Sequence, residues 1–111
     1  MLKLELAEGS RFATKDYGRS QAFRIFNEDD TAFNATTYNS PVVNVFDELG
    51  ILVIQSITGS WTNQASGIGT FSFSSANHIT VSGLYYLEVQ LEKAGNVLST
   101  ERRKIVAMPS P

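Results

Sequence analysis

The sequence predicts an all-β domain, a sandwich of antiparallel sheets built from about seven to nine short strands. Three observations carry that reading. Apolar and polar residues alternate with a period of two along the chain, and no segment keeps the helical period of about 3.6. Turn residues interrupt the alternation roughly every 8–12 residues. Aromatic residues make up 11% of the 111 residues and charged residues only 18%, which suits a core of β-branched and aromatic side chains.

The first strand sets Leu2, Leu4 and Leu6 against Lys3 and Glu5. A loop rich in glycine, serine and charge follows, from Ala7 to Ser20. Gln21 to Asn27 is the next strand, with Phe23 and Ile25 on one face and Arg24 and Phe26 on the other. Glu28-Asp29-Asp30-Thr31 ends it, and a short run from Phe33 to Tyr38 leads into Asn39-Ser40-Pro41. Proline there marks a strand start or an edge. Val42 to Asp47 and Ile51 to Ile57 flank Asp47-Glu48-Leu49-Gly50, two β-branched runs around a hairpin loop. Ile68 to Ser74 places Phe71 and Phe73 on one face before a polar stretch breaks it.

Leu84 to Glu92 is the clearest strand: Tyr85, Leu87, Val89 and Leu91 point one way, Tyr86, Glu88, Gln90 and Glu92 the other. Lys93-Ala94-Gly95-Asn96 turns the chain into a last strand, Val97 to Ala107. The prolines after Met108 cannot extend a central strand, because they lack a ladder donor. The inward set is Phe23, Ile25, Val43, Val45, Leu52, Ile54, Trp61, Phe71, Phe73, Tyr85, Leu87, Val89 and Leu91. Alternation alone leaves a closed barrel as the competing architecture. No repeat or linker splits the chain, which divides into an N-terminal arm and loop (1–18), the sandwich (19–107) and a C-terminal tail (108–111).

Composition narrows the chemistry. Without cysteine there is no disulfide scaffold, no cysteine-ligated metal and no thiol catalysis. Nine basic and eleven acidic side chains give a net charge of −2, so no strong nucleic-acid footprint is expected. The single histidine, His78, reads as an exposed loop residue, because no acidic residue lies between Glu48 and Glu88 to orient it. One imidazole cannot build a histidine metal site. Glu28-Asp29-Asp30 lacks the alternating carboxylates and glycine of a calcium loop. Gly67-Ile68-Gly69 precedes no helix that would hold a phosphate. Charges in Glu101-Arg102-Arg103-Lys104 alternate between faces, as edge or interface charge does. No catalytic, cofactor or metal residue is assigned, and an enzyme is not expected. No segment has the pattern of a signal peptide or the ~20 apolar residues of a membrane span, so neither secretion nor a membrane partner is expected.

Apolar residues exceed what the core needs. Phe26, Val42 and Phe46 fall opposite the inward residues, and Leu2, Leu4 and Leu6 form an amphipathic arm. Together the six define an expected protein–protein interface, since monomers seldom expose large apolar patches. Edge strands would let subunits add by β-augmentation.

From Arg19 to Ala107 the chain resembles the immunoglobulin-like domain at the N-terminus of tailed-phage baseplate upper proteins and related tail-associated virion proteins. The residues that carry the resemblance are Gly18 to Asn27 with its Phe23-x-Ile25 strand, Val43-x-Val45-x-Asp47 followed by Gly50, and Gly69-x-Phe71-x-Phe73. Gly83-x-Tyr85-x-Leu87-Glu88-Val89 followed by Gly95 matches best. Its Gly83 and Tyr85 resemble a tyrosine corner, in which the phenol pins a crossover to nearby backbone. Asp29-Asp30-Thr31-Ala32 departs from the family in lacking the glycine after the acidic turn, and no coiled coil or receptor-binding extension follows Pro109.

The resemblance implies an immunoglobulin-like sandwich and a non-enzymatic virion structural protein, assembled in the bacterial cytoplasm; the departure at the C-terminus leads to the expectation of a freestanding module. Its partners would be other virion proteins in the tail, baseplate, neck or fibre attachment, with a homo-oligomer expected. The alternatives are a capsid decoration protein, a host-binding accessory protein, or a glycan-binding adhesion module in which Trp61, Tyr38 or Tyr86 stacks on a host-surface sugar.

Overall fold

The structure is a computed structural model that describes residues 1–7, 9, 11–15 and 17–109. Ser110 and Pro111, the end of the expected tail, lie outside the described residues, as do Glu8, Ser10 and Asp16 of the expected first loop. Among the described residues ten strands run in chain order: β1 Lys3–Leu6, β2 Arg11–Ala13, β3 Gln21–Phe26, β4 Val42–Asp47, β5 Leu52–Thr58, β6 Ser60–Asn63, β7 Ile68–Phe71, β8 Gly83–Lys93, β9 Asn96–Ser99 and β10 Arg103–Met108. One 3₁₀ turn, Gln64–Ser66, separates β6 from β7.

These strands form two sheets and not a closed barrel. One has the order β1-β3-β7-β6; the other runs β2-β10-β8-β4-β5, with β9 pairing the far half of β8. Their inner faces enclose one core containing Phe23, Ile25, Val43, Val45, Leu87, Val89, Leu91 and Ile105, each at most 1% exposed. Phe71 meets Phe73 edge-on at 5.5 Å, and Phe23 meets Trp61 edge-on at 5.9 Å.

Alternation located the central strands well, and tertiary pairing accounts for what it missed. β2 lies inside the segment expected to be loop; its three residues pair in parallel with β10, Ala107 opposite Phe12. β1 pairs antiparallel with β3, Leu4 opposite Ile25. The division at residue 18 is therefore corrected, because both strands before it are sheet members. The last strand is split, since Thr100–Arg102 leave the ladder between β9 and β10. In that gap Leu2 bridges Thr100, and the Glu101 amide donates to the Leu2 carbonyl at 2.8 Å.

Leu52, placed in the inward set, is 41% exposed. The register of β4 against β5 shifts on either side of Val45, so β5 carries extra residues and Leu52 falls opposite Phe46. Ser56 takes a positive φ of 56° in this strand, and its amide donates to Asn44 Oδ1 at 2.8 Å. Trp61 and Tyr85 are half-buried against the core. Core residues absent from the expected set come mainly from the chain ends: Leu2, Leu4, Leu6, Phe12, Ile105 and Ala107, together with Ile79.

Two turns set the geometry at the ends. The hairpin from β8 to β9 turns through Ala94 and Gly95, both at positive φ (49° and 84°), as a two-residue type I′ loop demands. Gly59 alone joins β5 to β6, so the chain changes sheet at one residue. A Cβ there would stand 2.5 Å from the Thr70 carbonyl oxygen, which excludes any larger side chain without a shift.

Candidate functional site

The expected interface is the natural starting point. Leu2, Leu4 and Leu6 are 9%, 2% and 7% exposed and belong to the core. This corrects the expectation of a free arm: pairing with β3 turns all three inward, and the Leu4 amide donates to the Glu101 carboxylate at 3.1 Å. β1 therefore offers little open edge. Phe46 faces outward but is only 8% exposed, because the Arg102 guanidinium lies 3.7 Å above its ring. Val42 and Phe26 are half-buried, Phe26 beneath Arg24 at 4.9 Å. Buried this way, the six do not form one contiguous surface.

Exposed apolar residues occur elsewhere, on β9 (Val97 and Leu98) and near the chain ends (Met1 and Met108), but five lie at one end of the sandwich. Leu49 is 81% exposed, Val81 65%, Ile51 58%, Val53 46% and Leu84 37%. They come from the β4–β5 hairpin and from the segment that enters β8. Asp47 builds the hairpin: its carboxylate accepts the Leu49 and Ile51 amides, each at 2.9 Å, while Gly50 takes φ 83°. A loop held this way presents Leu49 and Ile51 to solvent instead of tucking them in.

The opposing segment is fixed by Tyr85. Its hydroxyl donates to the Val81 carbonyl at 2.7 Å, the tyrosine-corner contact that the sequence reading implied. Gly83, between them, takes φ 150°. Two shallow concavities meet along the Asp47–Tyr85 line. Val53, Ile54, Ile79 and Val81 line one of about 280 Å³, with His78 at its rim. Leu49, Ser82, Gly83 and Leu84 line the other. His78 is not the exposed loop residue expected: it is half-buried, its ring centroid 4.9 Å from that of Tyr17 and its Nδ1 3.0 Å from the Ser74 carbonyl.

The outer face of the larger sheet is also organised. Asn44 and Glu88, 5% and 6% exposed, sit opposite each other across β4 and β8. Asn44 donates to Glu88 at 3.4 Å, and Arg102 Nε donates to the same carboxylate at 3.4 Å. Of the three aromatic residues weighed as sugar platforms two are engaged: Trp61 Nε1 donates to the Asn39 carbonyl at 2.9 Å, and Lys93 lies 5.8 Å over Tyr38, while Tyr86 is half-buried. Among the described residues, no group of three or more histidine or acidic side chains is placed to hold a metal ion. Nor, among the described residues, is any helix long and apolar enough to cross a membrane.

No family model matches the chain, and no curated protein matches it either. A solved structure does. CopC from Methylosinus trichosporium OB3b aligns over 100% of this chain and 97% of its own, with a TM-score of 0.55 at 10% identity. The fold is immunoglobulin-like. The Lin-41 filamin domain aligns over 96% of this chain and 91% of its own, with a TM-score of 0.47 and 10% identity. At such identity the likeness to CopC speaks to fold alone. The strand order agrees with it: β1-β3-β7-β6 faces β10-β8-β4, as in sandwiches of this class.

Hairpin exposure had a readable sequence signal that the interface assignment passed over. Leu49 and Ile51 flank Gly50 in a turn, where apolar residues have no core to enter.

Proposed function

We propose that this protein is a non-enzymatic virion structural module of a tailed phage, docking on neighbouring virion subunits through the apolar end formed by Leu49, Ile51, Val53, Val81 and Leu84. The observation that carries the reading is that exposure at one end of the sandwich, where the turns are hydrogen-bonded by Asp47 and Tyr85. A preformed apolar surface loses little conformational freedom on binding, so its burial goes into affinity. The sequence resemblance to baseplate and tail-associated domains supplies the particle context. A tail, baseplate, neck or fibre-attachment position follows from it, with other virion proteins as the partners.

The experiment is quantitative mass spectrometry of purified particles. The protein is expected at a fixed copy number relative to the known structural proteins. Its absence from particles, together with saturable glycan binding that is lost in Trp61→Ala, would establish the adhesion reading instead. Chemical cross-links from residues flanking Leu49 and Val81 to major capsid subunits would redirect the position to capsid decoration.

A further inference from the structure

A second surface lies on the side where β1 and β10 approach each other, and it carries both signs of charge. Four of the nine Lys and Arg residues, Arg11, Arg102, Arg103 and Lys104, line one groove there with a single carboxylate, Glu101. All four basic side chains are exposed, but Arg102 is already engaged by Glu88 and the Phe46 ring, so Arg11, Arg103 and Lys104 supply the groove's charge. Alternation along β10 had suggested that these charges would disperse between faces. The parallel pairing of β2 with β10 adds Arg11, opposite Val106, to the side that carries Lys104, and Arg103 reaches the same groove from the other face of β10.

Immediately beside it lies a second groove whose walls include Lys3, Phe26 and Asp30, and which shares Glu101 and Arg103 with the first. Asp30 belongs to the exposed acidic turn Glu28-Asp29-Asp30. That turn is rigid. The Asn27 amide donates to the Thr31 carbonyl, the Asp30 amide to the Asn27 carbonyl, and the Asp29 carboxylate accepts both the hydroxyl and the amide of Thr31. Lys3 pairs with Asp30, and the N-terminal ammonium pairs with Glu28, so the turn keeps an acidic surplus smaller than its three carboxylates.

We infer that two copies of this chain pair through this side about a two-fold axis, each seating its acidic turn Glu28–Asp30 in the other's cationic groove of Arg11, Arg103 and Lys104. Adjacent patches of opposite sign on one face become self-complementary under a two-fold rotation, so a single contact is made twice and the assembly closes. Half-buried Phe26, in the wall of the second groove beside Asp30 and beneath Arg24, adds apolar area to the contact. β-Augmentation at β1 is not needed, because Glu101 already occupies the Leu4 amide and the Leu2 carbonyl. The pairing does not depend on the virion reading and leaves the apolar end free for another partner.

The test begins with sedimentation velocity of the wild-type protein at low and high salt. A dimer is expected at about 50 mM salt, with its dissociation constant weakened by about tenfold or more at about 500 mM, since salt screens exposed charge pairs. Two charge-reversed proteins then carry the specificity: R103E/K104E in the groove and E28K/D30K in the turn, the second leaving Asp29 to hold the loop. Each alone is expected to be monomeric with a native far-ultraviolet circular dichroism spectrum, and an equimolar mixture to restore a dimer containing one of each. A wild type that stays monomeric at high micromolar concentration in low salt overturns the inference without recourse to any variant. So does a folded variant that still dimerises alone, a mixture of folded variants that stays monomeric, or growth into open chains instead of a closed dimer.

Discussion

Arg102 roofs Phe46. Its guanidinium carbon stands 3.7 Å from the ring centroid while its Nε reaches the Glu88 carboxylate at 3.4 Å. One side chain thus covers an outward aromatic and serves a carboxylate that is only 6% exposed. Removing it uncovers the ring and leaves Glu88 with Asn44 as its remaining side-chain partner. Arg102→Ala is expected to cost about 1–3 kcal/mol, measured as a shift of the urea midpoint at constant slope. The half-exposed ion pair by itself would contribute about 1 kcal/mol at most. Arg102→Lys is expected to recover little, because an ammonium lacks the planar group that stacks on the ring.

Leu4 and Leu49 distinguish core from contact surface. Leu4 is 2% exposed and Leu49 81%. Leu4→Ala is expected to destabilise the fold by about 2–5 kcal/mol through lost burial and the cavity left behind. Leu49→Ala is expected to change stability by about 0.5 kcal/mol or less. Paired thermal or urea unfolding curves read both. Equal, small effects would return β1 to the role of a free arm.

Tyr85→Phe removes only the hydroxyl that holds the Val81 carbonyl at 2.7 Å. The expected cost is about 0.5–1.5 kcal/mol. Amide exchange should accelerate at Val81 to Gly83 more than in β4, because the lost contact is the one that fixes that segment.

The acidic turn predicts a pH dependence with a definite sign. The Thr31 hydroxyl, and then its amide, hold the Asp29 carboxyl below its ordinary pKa of 3.8. A folded-state pKa below the unfolded one contributes stability that is present above 3.8 and lost as pH falls through the folded value. Thr31→Val should move the Asp29 titration back towards the ordinary range, seen directly by carboxyl-carbon NMR. Lys3 gives the opposite limb: its hydrogen bond to Asp30 raises its pKa above 10.5, so its contribution is present below 10.5 and fades as pH rises through the folded value. Both groups are solvent-exposed in their ionising parts, so each effect is small.

How much of this was legible in the sequence follows from which forces acted locally. Val43 and Val45, and Tyr85 to Leu91, alternate cleanly on long, well-paired strands, and the inward direction followed. Leu52 did not, because the irregular pairing of β5 with β4 breaks the alternation at residues that themselves look regular. β2 is three residues long, too short to show a period, yet it brings Arg11 to the cationic groove. For Leu2, Leu4 and Leu6 the pattern correctly gave an amphipathic strand. Alternation says which face is apolar but not whether the partner strand belongs to the same chain, and here β3 supplies it. The apolar hairpin was visible in principle, since Asp47 and Gly50 fix a turn whose intervening Leu49 has nowhere to be buried.

Particle incorporation of wild-type protein against the double variant L49D/V81D bears most directly on the docking role. Both substitutions sit at exposed positions and leave the Val81 carbonyl available to Tyr85, so the unfolding midpoint should hold within about 0.5 kcal/mol. The expected result is a wild-type protein at fixed copy number in purified particles and a folded variant depleted from them by about tenfold or more. A folded variant incorporated as fully as the wild type would contradict docking through the apolar end.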